Sequence, residues 1–404
     1  MLSDKYIEEK IKEYLPVREE EKNKYGEVFT PIELINEMLD KLPQNVWTNP
    51  YLKWLDPANG IGNFPMVVYS RLMKSLEEWE QDDKKRSKYI IEKMLYMVEI
   101  NPANVKIAKE IFGSNANIRC GDFLEETDKF DIIIGNPPFQ DSIEKTSPRK
   151  GGKNKLYERI TIKCLSLLNE NGYLLFLTPD NIMTGNTHKS YKEILKYNTL
   201  YISFNNIQKR YFPRIGQSMC YFLVEKSIKN DKTKTQINNQ DFSIILKDRK
   251  INPVRDWTFE TEEIFNEYIT TERNNSVYYR GTTESDYEGG KYKVIYLPDG
   301  DNIYLETNNE KLAPARGIKK IVLFEASPAS NGIVDYNGEY GVAPHTIYIP
   351  FQSKTEGEQL EQFFKSEIYR KLVKSSQTSQ RYLKVSLISF LNLKKIYSNH
   401  DFIW

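Results

Sequence analysis

The 404-residue sequence predicts an α/β fold with a parallel sheet at its centre, followed by a separate α+β domain. Three observations predict it. Short apolar runs alternate with helical patterns from about residue 53 to 225, as in a sheet covered on both faces. Polar or acidic residues recur at the ends of successive runs, at Asp56, Glu99, Asp122 and Asn136, as where open α/β sheets take their ligands. After Lys226 the alternation stops and the chain turns polar.

Residues 1–24 read as a charged helical arm without the apolar centre of a signal peptide. Thr30-Pro31 reads as a helix N-cap with proline at the first position. A strand near 52–55 runs into Asp56-Pro57-Ala58-Asn59-Gly60-Ile61-Gly62-Asn63-Phe64, whose glycines permit a tight turn and close ligand approach, and a helix follows over 64–80. The Lys-Ser/Thr ending of a phosphate-binding loop is missing. A second strand, 95–98, ends at Glu99, and Asn101-Pro102 starts a helix over 102–112. Strands at 117–120 and 130–134 lead to Gly121-Asp122-Phe123 and Asn136-Pro137-Pro138-Phe139. Helices over 156–169 and 188–197 and strands at 173–177, 201–204 and 220–224 complete the sheet. Ser227 to Gln240 reads as a linker or excursion, with short strands, Tyr/Gly turns and a closing helix over 358–374 beyond it.

Asn136 to Phe139 is a small chemical device. Two prolines fix the backbone and remove two N–H donors, so nearby carbonyls face a ligand as acceptors. The Asn136 side-chain oxygen adds another acceptor, and Phe139 can stack on a flat ring. Adenine, with its exocyclic NH2, fits that set.

With these motifs the chain resembles the S-adenosylmethionine-dependent, adenine-N6-specific DNA methyltransferases of restriction–modification type, in the subgroup with cofactor motifs first and target recognition last. The match is specific over about 25–225 and looser beyond. It implies a Rossmann-like seven-stranded sheet whose last strand, Met219 to Val224, runs antiparallel. Phe29, Thr30 and Pro31 are similar to the N-terminal cofactor motif. Asp56, Pro57, Ala58, Gly60, Gly62 and Phe64 match the glycine-rich loop. The resemblance further implies Glu99 with Ile100 at the cofactor ribose, Asp122 with Phe123 at its adenine, and Asn136, Pro137, Pro138 and Phe139 at the target base, with Asn136 also bordering the cofactor. Asn59 departs from the small or thiol residues common there. The implied domains are 1–24, an arm; 25–226, the catalytic domain; and 227–404, target recognition.

No run approaches the roughly 18 apolar residues of a membrane helix. Cys120, Cys164 and Cys220 lie in apolar stretches and read as small core residues of a reducing compartment, so the expected location is cytoplasmic. His188, His345 and His400 are far apart and no Cys/His spacing suits a metal.

The net charge of +1 conceals basic stretches: 7 Lys/Arg against 1 acid over 145–163, 14 against 5 over 189–255, and 8 against 1 over 365–395. Residues 256–339 reverse the sign, 8 against 16. Three basic runs around one adenine-directed motif suit a phosphate-tracking cleft and double-stranded DNA as partner. Candidate DNA contacts are Arg149, Lys150, Lys153 and Lys155, then Arg316, Lys319, Ser376, Thr378, Ser379 and Arg381 in the second domain. Since N6 is unreachable inside a duplex, the base must be flipped, and Tyr25 or Phe212 are candidates for its second stacking face.

The reading is methyl transfer to adenine N6, with a companion restriction endonuclease implied by the resemblance. Three rivals stand beside it. A protein-glutamine methyltransferase presents the same NH2 to a similar Asn-Pro-Pro motif, but the basic runs, the large C-terminal region and Phe139, where that class tends to have Tyr, oppose it. An RNA adenine methyltransferase shares every core residue. A non-catalytic nucleic-acid-binding module is opposed by the intact Asp56, Gly60, Gly62 and Asn136.

Overall fold

The structure, a computed structural model, describes residues 30–139, 156–183, 189–204, 207–227, 233–237, 240–244, 250–253, 257–280, 287, 289–299, 302–328, 330–376, 383 and 385–399. The expected arm and Tyr25, Phe29, Arg149, Lys150, Lys153, Lys155, Thr378, Ser379 and Arg381 lie outside the described residues. The chain divides into two compact units, 1–182 with 188–246, and 183–187 with 247–404.

The first unit is built on a sheet in the order β3-β2-β1-β4-β5-β7-β6-β8-β9. Its strands are β1 (Trp54–Asp56), β2 (Leu95–Glu99), β3 (Asn117–Cys120), β4 (Phe130–Gly135), β5 (Leu168–Pro179), β6 (Asn198–Ser203), β7 (Met219–Glu225), β8 (Thr233–Ile237) and β9 (Gln240–Ile244). The strands β3-β2-β1-β4-β5 are mutually parallel, and β7 runs antiparallel to β5 and β6, as expected.

The helices of this unit are α1 (Ile32–Leu39), α2 (Asn45–Thr48), α3 (Asn63–Ser75), α4 (Asp83–Tyr89), α5 (Pro102–Phe112), α6 (Leu156–Leu167), α7 (Lys189–Ile194) and α8 (Ile207–Tyr211). Strand residues alternate in direction, so Met97, Ile132, Ile134, Leu175 and Leu177 share one core with Leu34, Met38, Val68 and Leu72 of α1 and α3 and Val105 and Ala108 of α5. Their neighbours Val98, Ile133, Leu174 and Phe176 are equally buried and face the other way. Right-handed crossovers put α3 and α5 on one face and α6 on the opposite one.

Local chemistry explains the boundaries. Asn101 caps α5 by accepting from the Ala103 N–H, with Pro102 at the first position. The helix expected over 64–80 stops at Ser75, because Glu77, Glu78 and Glu80 would place three negative charges at the negative end of its dipole. Asp82 then caps α4 by accepting from the Lys84 and Lys85 N–H groups. The stretch after Lys226, expected as a linker or excursion, adds two strands: β8 pairs parallel with β6, and β9 antiparallel with β8. The seven expected strands, β1 to β7, are thus all present and are extended to nine at the β6 edge, and the first unit runs to Leu246.

The second unit contains a four-stranded antiparallel sheet, β10-β16-β13-β14, and a three-stranded sheet, β12-β11-β15. Their strands are β10 (Val277–Tyr279), β11 (Tyr292–Asp299), β12 (Asn302–Thr307), β13 (Lys320–Phe324), β14 (Ile333–Asp335), β15 (Gly341–Val342) and β16 (Thr346–Pro350). The helices are α9 (Phe259–Tyr268), α10 (Lys354–Lys365), α11 (Glu367–Ser376), α12 (Val385–Ser389) and α13 (Leu393–Ser398).

Strand β13 shows how the layers join. Ile321 and Leu323 pack with Ile347 and Ile349 against Phe363, Phe364, Tyr369 and Leu372 of the helices. Val322 and Phe324 point oppositely and pack with Ile295 and Val342 of the other sheet. Each such buried side chain contributes about 1.5–3 kcal/mol. The closing helix expected over 358–374 is two helices. Ser366 ends α10, its hydroxyl donating to the Phe363 carbonyl, and accepts the Tyr369 N–H in the first turn of α11.

Among the described residues no helix is long and apolar enough to cross a membrane. Cys164 and Cys220 are buried as expected, whereas Cys120, the last residue of β3, is exposed because the strand has already left the core.

Candidate active site

Strand order reverses between β1 and β4, and the crevice at such a switch point is where α/β sheets bind ligands. Because β1 to β4 are parallel, Asp56, Glu99, Asp122 and Asn136 all leave the same end of the sheet. The expected motifs converge there.

The glycine-rich loop is tied to its neighbours by backbone groups. The Asn59 N–H donates to the Val98 carbonyl at 3.0 Å, and the Gly62 N–H to the Asn59 carbonyl at 2.9 Å. Gly62 has φ +103, and a Cβ on it would lie 2.7 Å from the Phe112 ring, so only glycine allows the turn to sit on α5. Glu99 closes the arrangement. Its Oε2 accepts the Gly60 N–H and its Oε1 the Asn101 N–H, both at 2.7 Å.

Asp56 is buried, and its Oδ1 accepts the Ala58 N–H at 3.1 Å. Burial pushes its carboxyl up to about 8, the Ala58 hydrogen bond works against that rise, and the Glu99 charge adds to it. Gly135, φ +153, makes the space: a Cβ there would stand 3.0 Å from Asp56 Oδ1. The Ile100 side chain, which follows the buried Glu99, is 54 % exposed. Asp122 is exposed, and one of its oxygens accepts the Leu124 N–H, capping the short turn Phe123–Glu125, in which Phe123 is buried.

At the end of β4, Pro137 is buried while Asn136, Pro138 and Phe139 are half-buried. The Phe139 ring meets Tyr157 of α6 edge-on, with centroids 6.3 Å apart. Tyr157 is buried and its hydroxyl donates to Asn181 Oδ1 at 2.6 Å; burial first, then the Glu158 charge, pushes the phenol well above its ordinary value. The Asn136 Nδ2 donates to the Thr30 hydroxyl at 3.2 Å. Thr30 thus does not cap α1, which starts after Pro31 without a side-chain cap.

Two expected contacts are corrected. Phe212 is 6 % exposed and packed in the core of the first unit, so it offers no face to a base. Ser376 is fully buried and its hydroxyl donates to the Val373 carbonyl, which leaves it unable to grip phosphate. Arg316 and Lys319 are exposed, Arg316 lying 4.6 Å over the Tyr292 ring.

Sequence reasoning passed over Asn63 and Tyr157. Asn63 Nδ2 donates to the Thr30 carbonyl at 3.2 Å. The available signal was the pair of amides flanking Gly60-Ile61-Gly62. Asn59 Oδ1 and Asn63 Oδ1 are both buried without a hydrogen-bond partner among the described residues. Two such acceptors beside a glycine turn, a carboxylate and an exposed aliphatic side chain fit a cationic, nucleoside-bearing cofactor. Among the described residues no cluster of three or more His, Cys, Asp or Glu could hold a metal.

Comparison with known proteins agrees with this layout. Residues 66–212 match the Eco57I restriction-modification methylase family; that span starts inside α3 and includes Glu99, Asp122 and Asn136 to Phe139, but not the loop from Asp56 to Phe64. An uncharacterized adenine-specific methylase of Mycoplasma pneumoniae is 26 % identical over 303 residues, 53 % of this chain and 70 % of that one. Modification methylase CviBIII of Paramecium bursaria Chlorella virus NC1A is 25 % identical over 214 residues, 52 % of each chain, so the match spans about half of that relative. The fold is shared with the ATP-dependent Type ISP restriction-modification enzyme LlaBIII, whose solved structure is bound to DNA: TM-score 0.51, 12 % identity, covering 81 % of this chain and 35 % of that one. Residues 66–212 of the first unit are thus similar to the Eco57I restriction-modification methylase family.

Proposed function

We propose that the chain transfers a methyl group from S-adenosylmethionine to the N6 amine of an adenine flipped out of double-stranded DNA, as the modification half of a restriction–modification pair. One observation carries the reading: the Asn136-Pro137-Pro138-Phe139 device stands at the β1/β4 switch point, beside the loop that Glu99 ties down. Its relatives, an adenine-specific methylase and a modification methylase, support the same chemistry.

Glu99 and Ile100, the turn from Asp56 to Gly62 and the orphan acceptors of Asn59 and Asn63 would hold the cofactor, and Asp122 with Phe123 its adenine end. When bound, the cofactor supplies a methyl group on a sulfonium leaving group. The chain's own residues prepare the amine. The N6 lone pair is conjugated into the ring, and two acceptors on its hydrogens, Asn136 Oδ1 and the Pro137 carbonyl, favour a more tetrahedral nitrogen with its lone pair free. Phe139 replaces the stacking lost on flipping. The work is positioning and electrostatics.

The test is a competition among substrates: labelled cofactor with mixed-sequence duplex DNA, structured RNA and a glutamine-bearing protein together, followed by hydrolysis. Label in N6-methyldeoxyadenosine is the expected result. Label confined to RNA or to glutamine would overturn the substrate assignment.

A further inference from the structure

We infer that Thr30 is a positioning residue for Asn136, anchoring the donor end of its side-chain amide so that the acceptor end is turned to the target amine. The inference rests on the function proposed above and goes beyond the role in cofactor binding that the resemblance implies for Thr30.

Asn136 acts on N6 only through its oxygen. An amide is nearly symmetric in shape, with an acceptor at one end and two donors at the other. Rotated about its last bond it would present N–H groups to an amine whose own hydrogens need acceptors, and the interaction would be lost. Something must therefore engage the nitrogen end. Thr30 does so: its hydroxyl accepts from Asn136 Nδ2 at 3.2 Å, across 106 residues of sequence. Thr30 is 4 % exposed, so water does not compete for that bond.

Thr30 is itself held. Its carbonyl accepts from Asn63 Nδ2 at 3.2 Å, and Asn63, 7 % exposed, is the first residue of α3, directly after the strained Gly62. The glycine turn, Thr30 and Asn136 thus form one chain of side-chain contacts. Anything that fixes the turn also fixes the amide.

The experiment compares Thr30→Val, which keeps the shape and removes the acceptor, with Thr30→Ser, which keeps the acceptor. Thr30→Val is expected to lower kcat roughly tenfold or more, the loss of one buried hydrogen bond to a reacting group, with cofactor Kd within about threefold of wild type. Thr30→Ser is expected to recover kcat to within about threefold. The cofactor Kd is measured calorimetrically. A second readout needs no catalysis: in protein labelled with 15N-asparagine, the Asn136 side-chain amide signals, identified by their absence in Asn136→Asp, are protected from solvent exchange in wild type and Thr30→Ser and lose that protection in Thr30→Val. Unchanged kcat in Thr30→Val overturns the inference, as does a loss of cofactor affinity that accounts for the whole defect. Equal amide protection in all three proteins overturns it even in a protein that methylates no DNA, a result that would separately sink the proposed function.

Discussion

Glu99 bridges two backbone segments with one carboxylate, its Oε2 accepting the Gly60 N–H and its Oε1 the Asn101 N–H, each at 2.7 Å. The end of β2 thereby sets both the glycine turn after β1 and the start of α5. Glu99→Gln keeps the shape and replaces one acceptor by an NH2 that faces an N–H. Cofactor affinity is expected to fall roughly tenfold, with the loss measured by calorimetry. Undiminished affinity would show that the bridge does not organise the site.

Asp56 makes that site pH-dependent. Its carboxyl, pushed up to about 8 by burial, is neutral at pH 7 in the free protein. A cationic cofactor favours the ionised form, so binding near pH 7 is expected to release a proton and to strengthen as pH rises toward 8. Calorimetry in buffers of different ionisation enthalpy reads the proton directly.

The same group leaves a signature on stability. Asp56 holds its proton more tightly folded than unfolded, so its contribution is full at low pH and is lost as pH rises from the ordinary 3.8 toward 8. Urea midpoints of wild type are expected to fall relative to Asp56→Asn between pH 6 and about 8, then run parallel. Parallel curves throughout would place the carboxyl at an ordinary value.

Gly62→Ala should strain the turn twice, through its φ of +103 and through the Phe112 ring 2.7 Å from the added carbon. A loss of about 1–3 kcal/mol of stability is expected, visible as a lower Tm, together with weaker cofactor binding.

In the second unit, Lys320 is fully buried, and its Nζ donates to Asp335 Oδ2 and the Tyr340 carbonyl at 2.7 Å and to the Ile318 carbonyl at 3.0 Å. Asp335 in turn accepts the Glu339 and Tyr340 N–H groups, so the pair shapes the loop leading to β15. Lys320→Met strands a buried carboxylate and is expected to cost about 3–5 kcal/mol in urea unfolding, only partly recovered in the double variant with Asp335→Leu, which leaves the Glu339 and Tyr340 N–H groups without their acceptor.

Much of this was legible in the sequence, for physical reasons. Strands β1, β2, β4, β6 and β7 and the second half of β5 are largely buried and read as apolar runs, and the candidate ligand residues stand at strand ends, where polarity changes abruptly. Strand β8, Thr-Lys-Thr-Gln-Ile, carries a single aliphatic residue in its sequence, so hydrophobic periodicity could not find it. The break at Ser366 hides inside a continuous amphipathic pattern, because one hydroxyl serves both helices. At the site, residue types pointed to Asn136 and Glu99. The bond from Asn136 to Thr30 is a contact between distant segments that no local pattern encodes.

Single-turnover methyl transfer by wild type and Asn136→Ala to the same duplex decides whether Asn136 acts on an adenine amine in DNA. The expected result is N6-methyldeoxyadenosine from wild type and a rate lower by about two to three orders of magnitude in the variant, with cofactor Kd nearly unchanged. Equal rates, or a methylated product other than N6-methyldeoxyadenosine, would contradict it.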